Sequence, residues 1–240
     1  MSHLLRSITL GGLACAAMAM PTFADGTISG VVKFDGRMAK QRPIRVTADA
    51  YCVQAHTGDP LLDERFVFNE EKGTLVNVIV YVSSPVEAET PSEAIKIDQI
   101  GCQYVPHVVT AMTGQKVEIH NSDNTAHNLN LKPENNSGFN VSQPVQGMVH
   151  EVTFSKPEIG MPLKCDVHSW MTSFIAVFEH PYHAVTNRDG AFEITGLPAG
   201  EYEISVWHEF DRFTPVEKTM TVTVKDGEAT EVEFTYQPPQ

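Results

Sequence analysis

The chain has 240 residues, of which 17 are Lys or Arg and 30 are Asp or Glu, and its formal net charge is −13 at pH 7. Nucleic acid attracts proteins with basic patches, so this acidic balance argues against a nucleic-acid partner. The charge suits electrostatic steering toward a basic partner protein, or it serves solubility alone, and the composition favours neither reading.

Residues 1–24 have the pattern of a secretory signal peptide. Arg6 gives a short positive start, residues 8–20 are apolar, and small residues then form a cleavage site. We therefore expect a periplasmic or otherwise exported protein. Lipoprotein anchoring through Cys15 is the less favoured alternative, because Gly12 stands where a bulky aliphatic residue is expected. No later segment approaches about 18 uninterrupted apolar residues, so we expect no membrane span.

The sequence after residue 24 has the texture of an all-β protein. Short runs rich in Val, Ile, Thr and Phe alternate with Gly, Pro, Asn and Asp, and no window shows a long, capped helical period. Residues 39–63 have no clean period and are expected to be irregular or to carry a short helix. The predicted strands cover residues 27–34, 76–82, 108–113, 116–120, 150–154, 174–178, 191–195, 202–208, 218–224 and 230–236.

The C-terminal segment has the pattern of an antiparallel β module. Asp189-Gly190 predicts a hairpin turn between two alternating runs, and residues 196–200 predict a second turn. The run D-G-x-F-x-I-x-G-L-P-x-G-x-Y resembles the carboxypeptidase regulatory-like (transthyretin-like) domains, which implies an Ig-like or transthyretin-like β-sandwich. Residues 26–34 resemble the first strand of that module, so we expect the N-terminal strand to complete it.

The strongest chemical signal is the run Cys165-x2-His168-x2-Met171. It offers a thiolate, an imidazole and a thioether. With a second His these ligands form the His2Cys set with a weak axial Met that is typical of blue-copper electron-transfer sites. The missing imidazole is His127, which follows a turn after the predicted strand 116–120. We expect the two loops to converge at one end of a β-sandwich, where all four residues bind one metal ion.

These residues resemble the cupredoxins, and most closely the amicyanins and plastocyanins. The resemblance rests on His127-Asn128, on the C-x2-H-x2-M loop and on the framing runs T-G-Q-K-V and E-V-T-F, and it covers residues 104–180. It implies a Greek-key β-sandwich with one type 1 copper. It also implies that the backbone N–H of Asn128 points at the Cys165 sulfur, and that His168 lies on an exposed loop as the electron port. Ser169-Trp170 replaces the Pro-aromatic pair of amicyanins, which implies a less rigid loop.

The expected division of the chain therefore has four parts. These are the signal peptide 1–24, an N-terminal β segment 25–75, a cupredoxin-like copper domain 76–180 and a carboxypeptidase regulatory-like domain 181–240.

The remaining cysteines leave two alternatives open. If Cys165 binds metal, Cys52 and Cys102 are left as a pair, and disulfides persist in exported proteins. The alternative is a second metal site that these two cysteines form with His56 and His107, although the spacings match no closed zinc pattern. We expect the other histidines to be structural or surface residues, and these are His107, His120, His150, His180, His183 and His208. A metal site at His180 and His183 is a minor alternative.

The sequence favours a periplasmic electron carrier over an enzyme. Its expected partner is a redox protein such as a cytochrome c or a periplasmic dehydrogenase. One alternative is a copper-containing subunit of a redox enzyme with a second metal centre. Another is a carbohydrate or adhesion module with structural copper. No hydrolase or phosphate-loop motif is present in the sequence.

Overall fold

The computed structural model describes residues 25–37, 40–47, 49–210 and 212–238. The predicted signal peptide, with Arg6, Gly12 and Cys15, lies outside these residues. Within the described residues, no helix is long and apolar enough to cross a membrane.

The protein is nearly all β, as the sequence predicted, with 3% of residues in helix. The one helix of the described residues is α1 (Ala50–Ala55), which lies in the segment expected to be irregular or to carry a short helix. The strands are β1 (Gly26–Phe34), β2 (Phe68–Asn69), β3 (Thr74–Leu75), β4 (Ile79–Val82), β5 (Ile95–Gln99), β6 (Tyr104–Val105), β7 (Val108–Met112), β8 (Lys116–Asn121), β9 (His127–Leu131), β10 (Phe139–Gln143), β11 (Val149–Thr153), β12 (Glu158–Lys164), β13 (Thr172–Phe178), β14 (His183–Val185), β15 (Ala191–Leu197), β16 (Gly200–Trp207), β17 (Thr214–Pro215), β18 (Thr219–Val224) and β19 (Ala229–Gln237).

All the predicted strands are present, with small shifts at their ends, but several strands were not predicted. The longest of these is β12, whose Gly160 and Pro162 are residues that normally argue against a strand. Strand β9 was missed because its asparagines alternate with leucines beside a turn. Strands β5 and β10 were missed as well.

Two sheets form the first sandwich. One has the strand order β10-β9-β12-β13-β7 and the other the order β11-β8-β5-β6. Their apolar faces meet in a core that includes Ile97, Ile119, Leu129, Leu163 and Ile175, all fully buried. The alternation of buried and more exposed residues along β8 and β9 is the pattern expected of strands with one face on the core.

The second sandwich contains strands from both ends of the described chain. Its larger sheet has the order β17-β19-β1-β3-β2, with β15 also paired to β1, and its smaller sheet has the order β14-β4-β16-β18. Strand β1 is antiparallel to β15 and parallel to β19. Gly190 turns the chain into β15 with a φ of +67°, and a Cβ there would lie 2.3 Å from the Cβ of Thr74. Only glycine fits this turn without moving its neighbour.

Strand β4 lies in a different sheet from the one its sequence position suggested. Residues 76–180 were expected to form the copper domain, but β4 is hydrogen-bonded to β14 and β16 of the second sandwich. The division into separate domains stays a prediction.

The two sandwiches share a small apolar core of their own. Ile79 of β4 packs there with Val108, Ala176 and Phe178 of the first sandwich. Beside it, the ring of Trp207 lies so close to Gly160 that a Cβ would come within 2.5 Å of the indole. The junction is therefore packed, and it buries side chains from both halves.

Candidate metal centre

Adjacent strands place the predicted ligands at one end of the first sandwich. Strand β9 begins at His127, directly after the turn that follows β8. Strand β12 ends at Lys164, one residue before Cys165, and it is paired with β9 through Lys164 and Asn130. Because the two strands are neighbours, the turn before β9 and the loop after β12 lie side by side.

Three of the predicted ligands converge in space. The ligand atoms of His127, Cys165 and His168 all lie within 4.8 Å of one another. The Nδ1 atoms of the two histidines are 3.0 Å apart, and the Cys165 Sγ lies 3.9 Å from the Nδ1 of His168. None of these residues is more than 3% exposed. Both imidazoles therefore direct the same nitrogen toward one dry position beside a sulfur.

Met171 closes the loop that carries Cys165 and His168. Its backbone N–H donates to the carbonyl of His168 at 2.9 Å, and its carbonyl accepts from the N–H of Cys165 at 3.2 Å. The Met171 side chain is buried against the core of the first sandwich together with Cys165. These bonds hold the C-x2-H-x2-M run as one compact turn.

The surroundings of Cys165 favour its thiolate. Burial raises the pKa of the Cys165 thiol, but hydrogen bonds with the two neighbouring imidazoles outweigh burial and lower the pKa to about 6. The backbone N–H of Asn128 also points at the sulfur, 3.4 Å away. The Asn128 side chain donates to Asn140 at 2.7 Å and accepts from the N–H of Asp166 at 3.1 Å, so it ties β9 to β10 and to the loop.

Asp123 is a site residue that the sequence reasoning missed. Its carboxylate accepts from the Nε2 of His127 at 2.9 Å and from the N–H groups of Gly101 and Cys102 at 2.6 and 2.7 Å. Burial lowers the pKa of His127, but the hydrogen bonds and negative charges of Asp123 and Cys165 together outweigh burial and raise the pKa to about 9. An acid four residues before a candidate His ligand, within the same turn, was the available signal.

Cys52 and Cys102 form a disulfide with a Cα–Cα distance of 5.7 Å. Their thiols are therefore not available to a second metal site in this structure. Of the other two residues of that alternative, His56 contacts the carbonyl of Gly101 at 2.6 Å, and His107 forms an ion pair with Glu209.

The loop that carries His168 is exposed at residues 166, 167 and 169, but the His168 side chain is not, because helix α1 covers it. His168 is 1% exposed. Its Nε2 lies 3.6 Å from the Sγ of Cys52 and 3.6 Å from the Oδ2 of Asp49, the residue that caps α1. Trp170 adds a second cover, since its ring lies 5.0 Å from that of His168 and its Nε1 donates to the carbonyl of Cys102 at 3.1 Å.

The remaining histidines lie outside the metal-ligand groups of the described residues. His120 is near Glu118, His150 packs on Phe139, and His183 stacks on Phe178. His107, His180 and His208 are buried.

No family model matches the chain, and no curated protein does. Several solved structures are similar to part of it. A copper-containing nitrite reductase from Thermus scotoductus is 22% identical with a TM-score of 0.34, and the match covers 41% of this chain and 25% of that one. A purple cupredoxin from Nitrosopumilus maritimus is 20% identical with a TM-score of 0.31, and the match covers 35% and 99%. An amicyanin from Paracoccus versutus is 22% identical with a TM-score of 0.33, and the match covers 41% and 97%. Likenesses this weak establish neither the fold nor the function.

Proposed function

We propose that this protein is an exported electron-transfer protein that binds one copper ion through His127, Cys165, His168 and Met171. The observation that carries the proposal is the convergence, in a buried position, of one thiol sulfur and two imidazoles whose Nδ1 atoms are 3.0 Å apart. Two imidazoles with one cysteine, supported by a methionine, are the ligand set that favours copper in electron-transfer sites.

The residues present fit copper by their donor chemistry. The lowered pKa of Cys165 makes the thiolate available near neutral pH, and the thiolate is the form that binds metal. The hydrogen bond from His127 Nε2 to Asp123 fixes the proton on that nitrogen, so Nδ1, which faces His168, is the nitrogen that would bind copper in place of its proton. A carboxylate in this position orients a metal-binding histidine and raises its basicity. Bound copper would supply a one-electron redox couple.

The protein's own residues exclude water from the ligands and hold them in place. All four side chains are buried, and Asn128 restrains the sulfur through its backbone N–H. A ligand set that is held before the metal arrives changes little between oxidation states, which suits rapid electron transfer. His127, Cys165 and His168 are at most 3% exposed, which favours electron transfer over catalysis.

Electrons would leave through Trp170 and not through an exposed His168. The indole is half-buried, its ring is in contact range of His168, and it lines a cavity of about 460 Å³ at the surface together with Leu61 and Phe174. A redox protein, such as a cytochrome c or a periplasmic dehydrogenase, is the partner that we propose for this surface. The net charge of −13 suits a partner with a basic face.

A spectroscopic and electrochemical comparison tests the proposal. The mature protein loaded with Cu(II) should show an intense visible thiolate-to-copper band and a reversible one-electron wave in voltammetry. Cys165→Ser should lose both signals. Ser169→Ala, a change at an exposed residue of the same loop, should keep both. A colourless copper protein, or a band that survives Cys165→Ser, would overturn the proposal.

A further inference from the structure

The disulfide lies against the edge of His168 that faces away from Cys165. One nitrogen of that ring, Nδ1, faces the Cys165 sulfur at 3.9 Å. The other, Nε2, faces the Sγ of Cys52 at 3.6 Å. The ligand atoms of Asp49, Cys52 and His168 lie within 4.8 Å of one another.

Cys102, the other cysteine of the disulfide, also lies close to a carboxylate and an imidazole. The ligand atoms of Cys102, Asp123 and His127 also lie within 4.8 Å of one another. Both disulfide sulfurs belong to residues that are fully buried. The two imidazoles therefore lie between two sulfur groups, Cys165 on one side and the disulfide pair on the other.

We propose that reduction of the Cys52–Cys102 disulfide creates a second metal site, specific for Cu(I), in which the two thiolates hold the ion beside Asp49, Asp123 and the Nε2 edge of His168. This ligand set differs from the alternative with His56 and His107, whose side chains have other partners. Its sulfur ligands differ from Cys165, although it shares His168 and Asp123 with the first copper position, and it goes beyond the electron-transfer proposal.

A dithiol reductant can open the Cys52–Cys102 disulfide. The reductant gives two electrons and two protons, the S–S bond becomes the two thiols of Cys52 and Cys102, and the dithiol becomes a disulfide. Binding of Cu(I) then releases the two thiol protons to water. Soft thiolates select Cu(I) over harder divalent ions.

The buried position of Cys52 and Cys102 disfavours two thiolates that have no bound metal ion. Two free thiolates in a dry position beside the carboxylates of Asp49 and Asp123 would be strongly destabilised. One bound Cu(I) offsets one of the two added negative charges, and its binding releases the thiol protons.

The element that carries Cys52 is suited to open. Helix α1 is six residues long, and its residues 53–55 are exposed. Apart from the disulfide, the hydroxyl of Tyr51 donates to Asp123 at 3.1 Å and that of Thr125 donates to Asp49 at 2.7 Å. His56, which ends the helix, also contacts the carbonyl of Gly101 at 2.6 Å, and Tyr51 packs against the first core, so a reductant and a copper ion reach the buried pair through local opening of α1.

Copper stoichiometry in two redox forms tests the proposal. The full mature chain is titrated with Cu(I) under argon against a chromophoric Cu(I) chelator, first with the disulfide intact and then after reduction with a phosphine that is removed. The wild type should bind one tight equivalent when oxidised and two when reduced. Cys165→Ser should bind none when oxidised and one when reduced.

X-ray absorption at the copper edge identifies the ligands of the second ion. Reduced Cys165→Ser with one equivalent of Cu(I) should show two sulfur neighbours. The double variant Cys52→Ser/Cys102→Ser is the control, and it should bind one equivalent with or without reductant. If the double variant fails to fold, the oxidised and reduced forms of Cys165→Ser give the decision by themselves.

The outcomes separate this proposal from the electron-transfer proposal. One equivalent for the wild type in both redox forms, with none for reduced Cys165→Ser, overturns the second site and leaves the first intact. No equivalent for the oxidised wild type and one for the reduced form supports the second site and overturns the first.

Discussion

The two sandwiches bury titratable side chains in different ways. In the first, His127 is fully buried with the carboxylate of Asp123 on its Nε2. In the second, the ring nitrogens of His183 and the Nε2 of His208 are buried with no hydrogen-bond partner among the described residues. Burial lowers the pKa of both His183 and His208 to about 4, whereas the pKa of His127 is raised to about 9.

This difference separates His127 from the two unpartnered histidines of the second sandwich. A histidine that is buried alone stays neutral and acts as an apolar packing group. A histidine that is buried with a carboxylate has a fixed orientation and a basic free nitrogen, which is what a metal requires. His107 is also buried beside carboxylates, so the site is marked by the combination at His127, which has Asp123 on Nε2 and His168 beside Nδ1.

The largest expected effect of a single change outside the site is on the core of the second sandwich. Phe234 is 1% exposed, and Phe234→Ala should lower the free energy of unfolding by about 3 to 5 kcal/mol through the cavity it leaves. Chemical denaturation measures this effect. The folded variant should keep the visible copper band, because Phe234 belongs to the other core. Loss of the band in a folded variant would show that the sandwiches do not act separately.

Removal of the charge at Asp123 should weaken copper binding. Asp123→Asn should lower copper affinity about 10- to 100-fold, because the amide cannot hold the His127 proton as a carboxylate does. Competition with a chelator measures the affinity. Asp98→Asn is the matched control, since Asp98 is a buried carboxylate of the same sandwich that contacts Ser122 and Lys96 and no ligand. Equal losses in the two variants would contradict the assigned role of Asp123.

His107 should make the stability of the protein depend on pH. Burial lowers the pKa of His107, but the hydrogen bond with Glu209 and the negative charges of Glu209 and Glu64 outweigh burial and raise the pKa from 6.5 to about 9. The protonated form is favoured in the folded state, so the stabilisation is complete below pH 6.5 and is lost as the pH rises through about 9.

The expected loss is about 1 to 3 kcal/mol between these two pH values, as measured by denaturation in urea. His107→Gln should remove this part of the pH dependence. A wild type whose stability is constant or rises over the same interval would refute the prediction.

The smallest expected effect comes from the loss of the hydrogen bond that the Trp170 indole donates beside the metal site. Trp170→Phe removes the bond from Nε1 to the Cys102 carbonyl and should cost about 0.5 to 1.5 kcal/mol of stability. The visible copper band should persist, and electron exchange should slow because the ring beside His168 is smaller. Trp207→Phe, in the second sandwich, should leave electron exchange unchanged. Equal exchange rates in all three proteins would exclude Trp170 as the exit.

The sequence predicted the parts of the site that depend on local spacing. Cys165, His168 and Met171 lie in one turn, and the turn before β9 brings His127 beside it. Each strand that was predicted correctly also has a local sequence pattern, either alternating polar and apolar residues or an adjacent Asp-Gly turn.

The parts that were missed depend on contacts between distant segments. The cover over His168 comes from α1, more than a hundred residues earlier in the sequence, where no periodic pattern exists. The position of β4 in the second sandwich depends on its pairing with β14 and β16. Nothing within these segments specifies such partners, because only the assembled core selects them.

The most direct test of the central claim is anomalous diffraction at the copper edge from crystals of the copper-loaded protein with the disulfide intact. The account predicts one copper peak per chain, within bonding distance of His127 Nδ1, His168 Nδ1 and Cys165 Sγ. A copper peak at any other place in the protein, or none at these three atoms, would contradict it.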